Sequence, residues 1–477
     1  MSSMSSFRGG YAPRRGRGGW NKSFSKPKNQ GVKPDLVKNP LGELLETVSI
    51  SDLGLGTTKT TTHGSISDLK YVASYNWRSD AVPTILVPGK PPQWTPPKNV
   101  QRLSEDSGQY YRDANAARYP EYPLAPVVQS IVALNPTFVT ADVDVVACGS
   151  TLGNLLRYVR GQDRSFRFTV EAIGETVFFV RKENDPRELI PDVRGYGHSF
   201  PEANTTWENE VKGSETHQRI VQYKLGGLAC LVRFECDGYF KEGSRSRDDE
   251  AMGAQPFESE GGDQLVSAFN KTKISAPQST PTGSNDGISI LRSGAEVPQN
   301  SIFDLKTRSG RFKTDIDMSD IYPQLWIKQI PNFIVAYHDG AGLFADNNVR
   351  VQDVRTDVAD WEKDNADAIR RLGALLGKIV TWARNDGGLL EVYSPGQNRL
   401  EFRKQHGDGV HALPGSLREA WMKEEDREEN SANLNDGGVK LDGKYDSGND
   451  GYSDSDDELD FTACSAEDCG YCGRCTY

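Results

Sequence analysis

Long apolar runs are missing from this 477-residue chain: no stretch is long enough to span a membrane, and the opening "MSSMSSFRGG" lacks the apolar centre of a secretory leader. Hydrophobic residues are also scarce, at 36%, below the usual globular share. That scarcity predicts one folded core joined to long segments that cannot bury themselves. Histidine is rare, and His198, His217 and His338 show no metal-ligand spacing on one element. No G-x-S-x-G elbow and no Walker loop occurs. The cysteines number seven, with four crowded at the C-terminal end, which is not the pattern of a secreted disulfide framework. The expected compartment is reducing: nucleus, cytoplasm or both.

What is present is unevenly charged. The net charge of −11 conceals seven Arg/Lys and no acid in residues 1–30, against fourteen acids and three bases in residues 424–460. The remainder, with 46 Lys/Arg against 53 Asp/Glu, is only mildly acidic, so net charge says nothing about what the core binds. Residues 1–65 read as a basic, RGG-like tail and a Thr/Ser/Gly-rich linker, both disordered. Arginines interleaved with Phe, Tyr and Trp there can grip phosphates and stack on bases. Residues 405–477 read as an acidic disordered tail.

Between them, residues 66–404 carry the periodicity of one domain. Order is expected to begin near "LKYVASYNW". The Pro-rich stretch 82–100 reads as extended chain wrapped on a surface. "PLAPVVQSIVAL" and "STLGNLLRYVRG" predict short helices, the second burying Leu152, Leu155, Leu156 and Val159. Residues 166–173 and 176–182 predict a hairpin. The stretch 215–224 is amphipathic and fits helix or strand. Residues 228–240 predict a strand buried on both faces. Pattern vanishes over 241–295, which reads as a disordered insertion. It returns at "ISILRSGAEVPQNSIFDLKTRS", followed by a helix in "DIYPQLWIKQI", a strand in "NFIVAYHDG", a long amphipathic helix over 357–384, and two strands around a Pro-Gly turn.

Two of these strands carry acids two residues apart, hence on one face. "LVRFECDGY" holds Glu235 and Asp237; "IFDLKT" holds Asp304 and Lys306. Alone, each pattern is also what a solvated edge strand uses to stay soluble. If the strands pair, three carboxylates and a lysine converge, and three carboxylates need a cation to stay ionised together. Hard oxygen donors suit Mg²⁺ or Mn²⁺, two of which can activate water and stabilise the leaving oxygen of a phosphodiester. The lysine can offset phosphate charge in the transition state.

These residues resemble a PD-(D/E)XK nuclease core, and more narrowly the decapping nuclease family of DXO/Rai type, whose members degrade RNA with defective 5′ ends. Glu235-Cys236-Asp237 is similar to that family's E-h-D, with h apolar. Asp304-Leu305-Lys306-Thr307 is similar to its E-h-K-T, with Asp for Glu. Gln324 followed seven residues later by Pro331, then "FIVAYHDG", reproduces the family's next helix and strand. Upstream, "GYGHSFPEANTTWE" is similar to its G-h-x-h-E segment, but Pro201 stands where Glu is expected, with Glu202 one residue late and Glu208 another candidate. "DVDVVACGSTLGNLL" resembles the segment before the family's first paired strands.

The resemblance covers roughly residues 140–345 and implies an α/β (α+β) fold, a mixed β-sheet flanked by helices. It implies metal-dependent hydrolysis at RNA 5′ ends: decapping, 5′-triphosphate pyrophosphohydrolysis or 5′–3′ exonuclease action. It assigns Glu235, Asp237, Asp304, the Leu305 carbonyl and Glu202 to Mg²⁺ or Mn²⁺, in two sites. Lys306 is assigned to the phosphate or attacking water, and Gln324 to water or phosphate. A 5′–3′ exoribonuclease is the implied protein partner, and no membrane is involved. The two departures, at 304 and 201, leave a second reading: a weakened nuclease fold that binds RNA or a partner.

Two further signals stand apart. Cys464, Cys469, Cys472 and Cys475 form a C-x₄-C-x₂-C-x₂-C run able to hold Zn²⁺, although four ligands so close together make tight geometry. "DDELD", residues 456–460, matches the D-D-x-x-D of isoprenyl (geranylgeranyl) diphosphate synthases, which are all-helical and need a second such motif. In a Ser/Asp/Gly tail beside a strand-rich core, it reads better as solvated charge.

Overall fold

The computed structural model describes residues 33–53, 65–162, 164–190, 193–241, 287–312 and 315–422. The basic tail, most of the expected insertion, the acidic tail, "DDELD" and the four C-terminal cysteines lie outside the described residues.

Two mixed sheets flanked by helices form the structure. The larger has eleven strands, in spatial order Leu44–Ser49, Arg399–Lys404, Leu390–Gly396, Phe166–Ile173, Thr176–Arg181, Val145–Cys148, Leu228–Glu235, Ser214–Leu225, Ser67–Arg78, Thr84–Gly89 and Ser289–Gly294. Val145–Cys148 runs parallel to both neighbours, and Thr84–Gly89 runs parallel to Ser289–Gly294; the other pairs are antiparallel. Successive residues alternate between two apolar layers. Val145 and Ala147 join the cluster that also holds the buried faces of helices Gly149–Val159, Tyr322–Lys328 and Ala366–Asp386; Val146 joins the opposite cluster, under helices Ala125–Leu134 and Gly415–Met422. A sheet covered on both faces is written as continuous apolar runs, which is why these strands lack polar alternation. Such a frame is incompatible with the all-helical architecture that the D-D-x-x-D reading requires.

The smaller sheet has six strands, in the order Val349–Asp353, Asn332–His338, Ile302–Ser309, Gly238–Tyr239, Gln93–Trp94 and Thr205–Thr206. One of its faces covers a third cluster of Tyr196, Phe200, Phe240, Phe303, Leu305, Ile334, Ala336 and Phe344.

Several expectations are corrected. The stretch 215–224 is strand, paired on both sides. Part of the expected linker is the edge strand Leu44–Ser49, and the chain ahead of it is pinned by the buried Arg167, which pairs with Glu391 and donates to the carbonyls of Asn39 (2.6 Å) and Pro40 (3.0 Å). Thr84–Gly89, expected at the surface, is a mostly buried strand because two partners flank it. Ser289–Gly294, placed by sequence inside the insertion, is one of those partners. The predicted helix over 357–384 is two helices, Arg355–Asp364 and Ala366–Asp386, separated at Asn365, whose side chain donates to the Trp361 carbonyl. The last hairpin turns at Gln397-Asn398, both with positive φ, rather than at Pro395-Gly396. Beyond 405, Gly415–Met422 is helical and buries Trp421.

The edge strand gives a simple test of this packing. Buried Tyr158 donates its hydroxyl to the Val48 carbonyl at 2.7 Å. Tyr158→Phe leaves that carbonyl without its buried donor, and an expected loss of about 1–2 kcal/mol is read from the urea midpoint.

Candidate active site at the junction of the two sheets

The acidic strands meet where the chain passes from one sheet to the other. Strands Ser214–Leu225 and Leu228–Glu235 form a hairpin whose two turn residues, Gly226 and Gly227, both have positive φ, as a tight type I′ connection requires. The second strand ends at Glu235, earlier than the sequence predicts. Cys236 still donates its N–H to the His217 carbonyl at 3.0 Å, and then the chain leaves the large sheet. Gly238 and Tyr239 pair with Phe303 and Ile302 in the small sheet. Gly238 is required there by crowding: a Cβ at that position would lie 2.3 Å from the Phe303 ring.

This antiparallel register sets Asp237 opposite Asp304. The Leu305 N–H donates to Asp237 Oδ2 at 2.7 Å, so Leu305 engages the site through its amide. Along strand Ile302–Ser309, Phe303 and Leu305 face the third apolar cluster, whereas Ile302 joins the main core, which places Asp304 and Lys306 on the side of helix Tyr322–Lys328. From the last residue of that helix, Lys328 reaches Asp304 Oδ2 at 3.2 Å, and both side chains are almost completely buried. Asp304 Oδ1 is buried and accepts no hydrogen bond from the described residues.

Burial, and then the charge and hydrogen bond of Asp304, hold the Asp237 carboxyl well above the usual carboxylate range, against the opposing pull of Lys306 and Lys328. Physically, two buried carboxyl groups in contact present acceptor to acceptor, and they need a proton or a cation between them.

The other expected residues divide clearly. Glu235 is buried at the end of its strand and accepts from Gln218 Nε2 at 3.3 Å. Gln324 lies one helical turn before Lys328; its Nε2 donates to the Asp320 carbonyl at 3.2 Å, and its buried Oε1 accepts no hydrogen bond. Glu202 is exposed on the short helix Ser199–Asn204. Glu208, the other upstream candidate, accepts from Tyr239 Oη at 3.0 Å and pairs with Lys90. Burial raises the Glu208 carboxyl, but hydrogen bonds from Lys90 and Tyr239 outweigh it and leave the group below its ordinary value. Glu208 is therefore tied to the acidic segment through Tyr239.

Among the described residues, no group of three or more His, Cys, Asp or Glu side chains is arranged to hold a metal ion. Of the expected ligands Glu235, Asp237, Asp304 and Glu202, the strand register brings Asp237 and Asp304 together as a carboxylate pair. Glu235 lies before the break between the sheets, Glu202 is exposed, and a lysine sits on Asp304. What remains fits a single hard cation. Asp304 Oδ1 lacks a donor, its partner is a second carboxyl, and Mg²⁺ commonly takes only one or two carboxylates, with waters and substrate phosphate completing the shell. Lys328 and Gln218 were not singled out from the sequence. The available signal for Lys328 is its position four residues after Gln324, on the same helical face inside an apolar run.

The histidine that anchors the crossing is itself a probe. His217 is fully buried; its Nδ1 lies 2.6 Å from Asn76 Oδ1, which also accepts the Lys90 N–H, so Nδ1 is the donor. Burial, and then the Arg219 charge, push its pKa well below the ordinary 6.5. The unfolded chain therefore takes up a proton that the folded chain refuses as pH falls below that value. His217 is expected to cost the fold about 1.4 kcal/mol between about pH 7.5 and 5.5, a loss missing in His217→Gln when urea midpoints are compared.

Comparison with known proteins gives three findings. No curated protein sequence matches the chain. Among solved structures, Scheffersomyces stipitis Rai1 in complex with (3'-NADP)+ and calcium ion is similar at a TM-score of 0.48 and 10% identity, covering 80% of this chain and 99% of that one. Candida albicans Rai1 in complex with pU5-Mn2+ is similar at 0.44 and 9%, covering 82% and 98%. K. lactis Dxo1 in complex with manganese is similar at 0.39 and 8%, covering 80% and 97%. The model of one family, described as "Domain of unknown function (DUF8563)", matches residues 52–395. The chain belongs to the DUF8563 family.

Proposed function

We propose that this protein is a metal-dependent hydrolase that cleaves phosphate linkages at RNA 5′ ends. The observation that carries the reading is the register that sets Asp237 against Asp304, with Lys306 on the same strand face as Asp304. Asp237 and Asp304 are the residues that would hold a divalent ion, which when bound would supply an acidified water and a counter-charge for phosphate. The chain's own residues do the rest. Asp237 is held in place by the Leu305 N–H. Lys306, only half-buried, is the cation able to meet an entering phosphate and balance the charge that develops on it. Gln324 offers a buried carbonyl oxygen that accepts no hydrogen bond from the described residues and can accept one from a water. The RNA specificity rests on the order of the E-C-D, D-L-K-T and Gln-to-Pro segments, and on the basic, aromatic N-terminal segment. The proposed place of action is the nucleus or cytoplasm.

A second reading, an RNA-binding fold without turnover, is favoured by one observation: Lys328 already sits on Asp304. One experiment separates the two. The full chain is incubated with RNAs bearing a 5′-triphosphate, a 5′-monophosphate or an incomplete cap, with Mn²⁺ or Mg²⁺ and with EDTA. The hydrolase reading expects a 5′-end product that depends on the ion and disappears with EDTA. Binding of all three RNAs with none consumed would replace it by the second reading.

A further inference from the structure

We propose that Lys328 is a resident cation of this site: its ammonium takes the place on Asp304 that a second divalent ion would need, so that the junction accepts one ion. This rests on the hydrolase reading above and concerns how that site is built.

The lysine is fixed rather than wandering. It is the last residue of helix Tyr322–Lys328, which ends on Gln329 in a left-handed conformation. The carbonyls around it are clamped from two sides. Tyr223 Oη donates to the Ile327 carbonyl at 3.1 Å, and Gln299 Nε2 donates to the Gln329 carbonyl at 2.9 Å. From this anchor the side chain runs through buried space to Asp304 Oδ2.

Length and charge are both complementary. Position 304 carries a short acid, and the long side chain of Lys328 brings its ammonium to Asp304 Oδ2 at 3.2 Å. Two carboxyls, Asp237 and Asp304, face two ammonium groups, Lys306 and Lys328, both of which act on Asp237. One divalent ion on the remaining oxygens leaves the site modestly positive, ready for phosphate. A second ion would have to share Asp304 with an ammonium at contact distance, in a buried setting where like-charge repulsion is weakly screened. Only Asp304 Oδ1, of the two Asp304 oxygens, is left without a donor.

The test is Mn²⁺ titration of the full chain by calorimetry, with wild type, Lys328→Met, Lys328→Arg and Asp237→Asn. Subtracting the Asp237→Asn isotherm removes binding by the acidic C-terminal segment. Wild type and Lys328→Arg are expected to bind one junction ion, and Lys328→Met two. Two junction ions in wild type would overturn the inference and leave the hydrolase reading standing; so would one ion in a folded Lys328→Met. Should Lys328→Met fail to fold, the wild-type and Lys328→Arg counts still decide. No junction ion in any protein would overturn the hydrolase reading itself.

Discussion

Asp304→Ala is expected to abolish hydrolysis and to destabilise the fold by about 3–5 kcal/mol, a cost seldom caused by changing one catalytic acid. The size follows from burial. Asp304 and Lys328 sit 3.2 Å apart with side-chain exposures of 1% and 6%. Deleting the acid leaves an ammonium in the interior without the carboxylate that offsets its desolvation. The pair as a whole is a different matter, since two buried charges exchanged together for apolar groups of similar volume often cost little. Asp304→Leu combined with Lys328→Met is therefore expected to recover most of the stability and none of the activity. Urea unfolding of Asp304→Leu, Lys328→Met and the double variant gives the coupling directly. An Asp304→Ala loss below about 1 kcal/mol would mean the pair is not buried as described.

Lys306→Met carries the second large effect, and it falls on rate rather than stability. Lys306 is half-buried on the strand that carries Asp304, and its charge is one of those opposing the raised Asp237 carboxyl. Removing a cation aimed at developing negative charge costs about 10²–10³ in rate. Unfolding should move by no more than about 1 kcal/mol, because the aliphatic stem is kept. There is also a signature in pH. With Lys306 gone, Asp237 loses a charge that favours its ionised form, so its pKa rises further. The acid limb of the single-turnover pH–rate profile is then expected at higher pH than in wild type. An unmoved limb with a lowered rate would place Lys306 away from Asp237.

The chemistry of this site was legible in the sequence where it depended on neighbours along the chain. Period-two spacing placed Asp304 and Lys306 on one face, and the hairpin 166–182 and the helix burying Leu152, Leu155, Leu156 and Val159 came from local pattern alone. What was lost depended on distant partners. The run 228–240 stays apolar across the crossing at Cys236, so hydrophobicity gives no sign that Glu235 and Asp237 belong to different sheets. Thr84–Gly89 looked like surface chain because proline dominates its surroundings; its burial comes from strands 67–78 and 289–294 on either side. Lys328 looked like one polar residue in a helix, and its meaning lies in an acid twenty-four positions earlier. Glu202 lies nearer the motif position along the chain, and the contact of Glu208 with Tyr239 depends on a residue thirty-one positions away.

The most direct measurement of the account is single-turnover cleavage of 5′-triphosphate RNA by Asp237→Asn in saturating Mn²⁺, beside thermal unfolding of the same preparation. Asparagine keeps an oxygen for the Leu305 N–H and removes a carboxyl that burial and Asp304 already hold well above its ordinary pKa. The account predicts a rate lowered by at least about a hundredfold with unchanged or increased stability. A folded Asp237→Asn protein that cleaves within about twofold of wild type, far short of the loss expected on removing a reacting-site group, would contradict it.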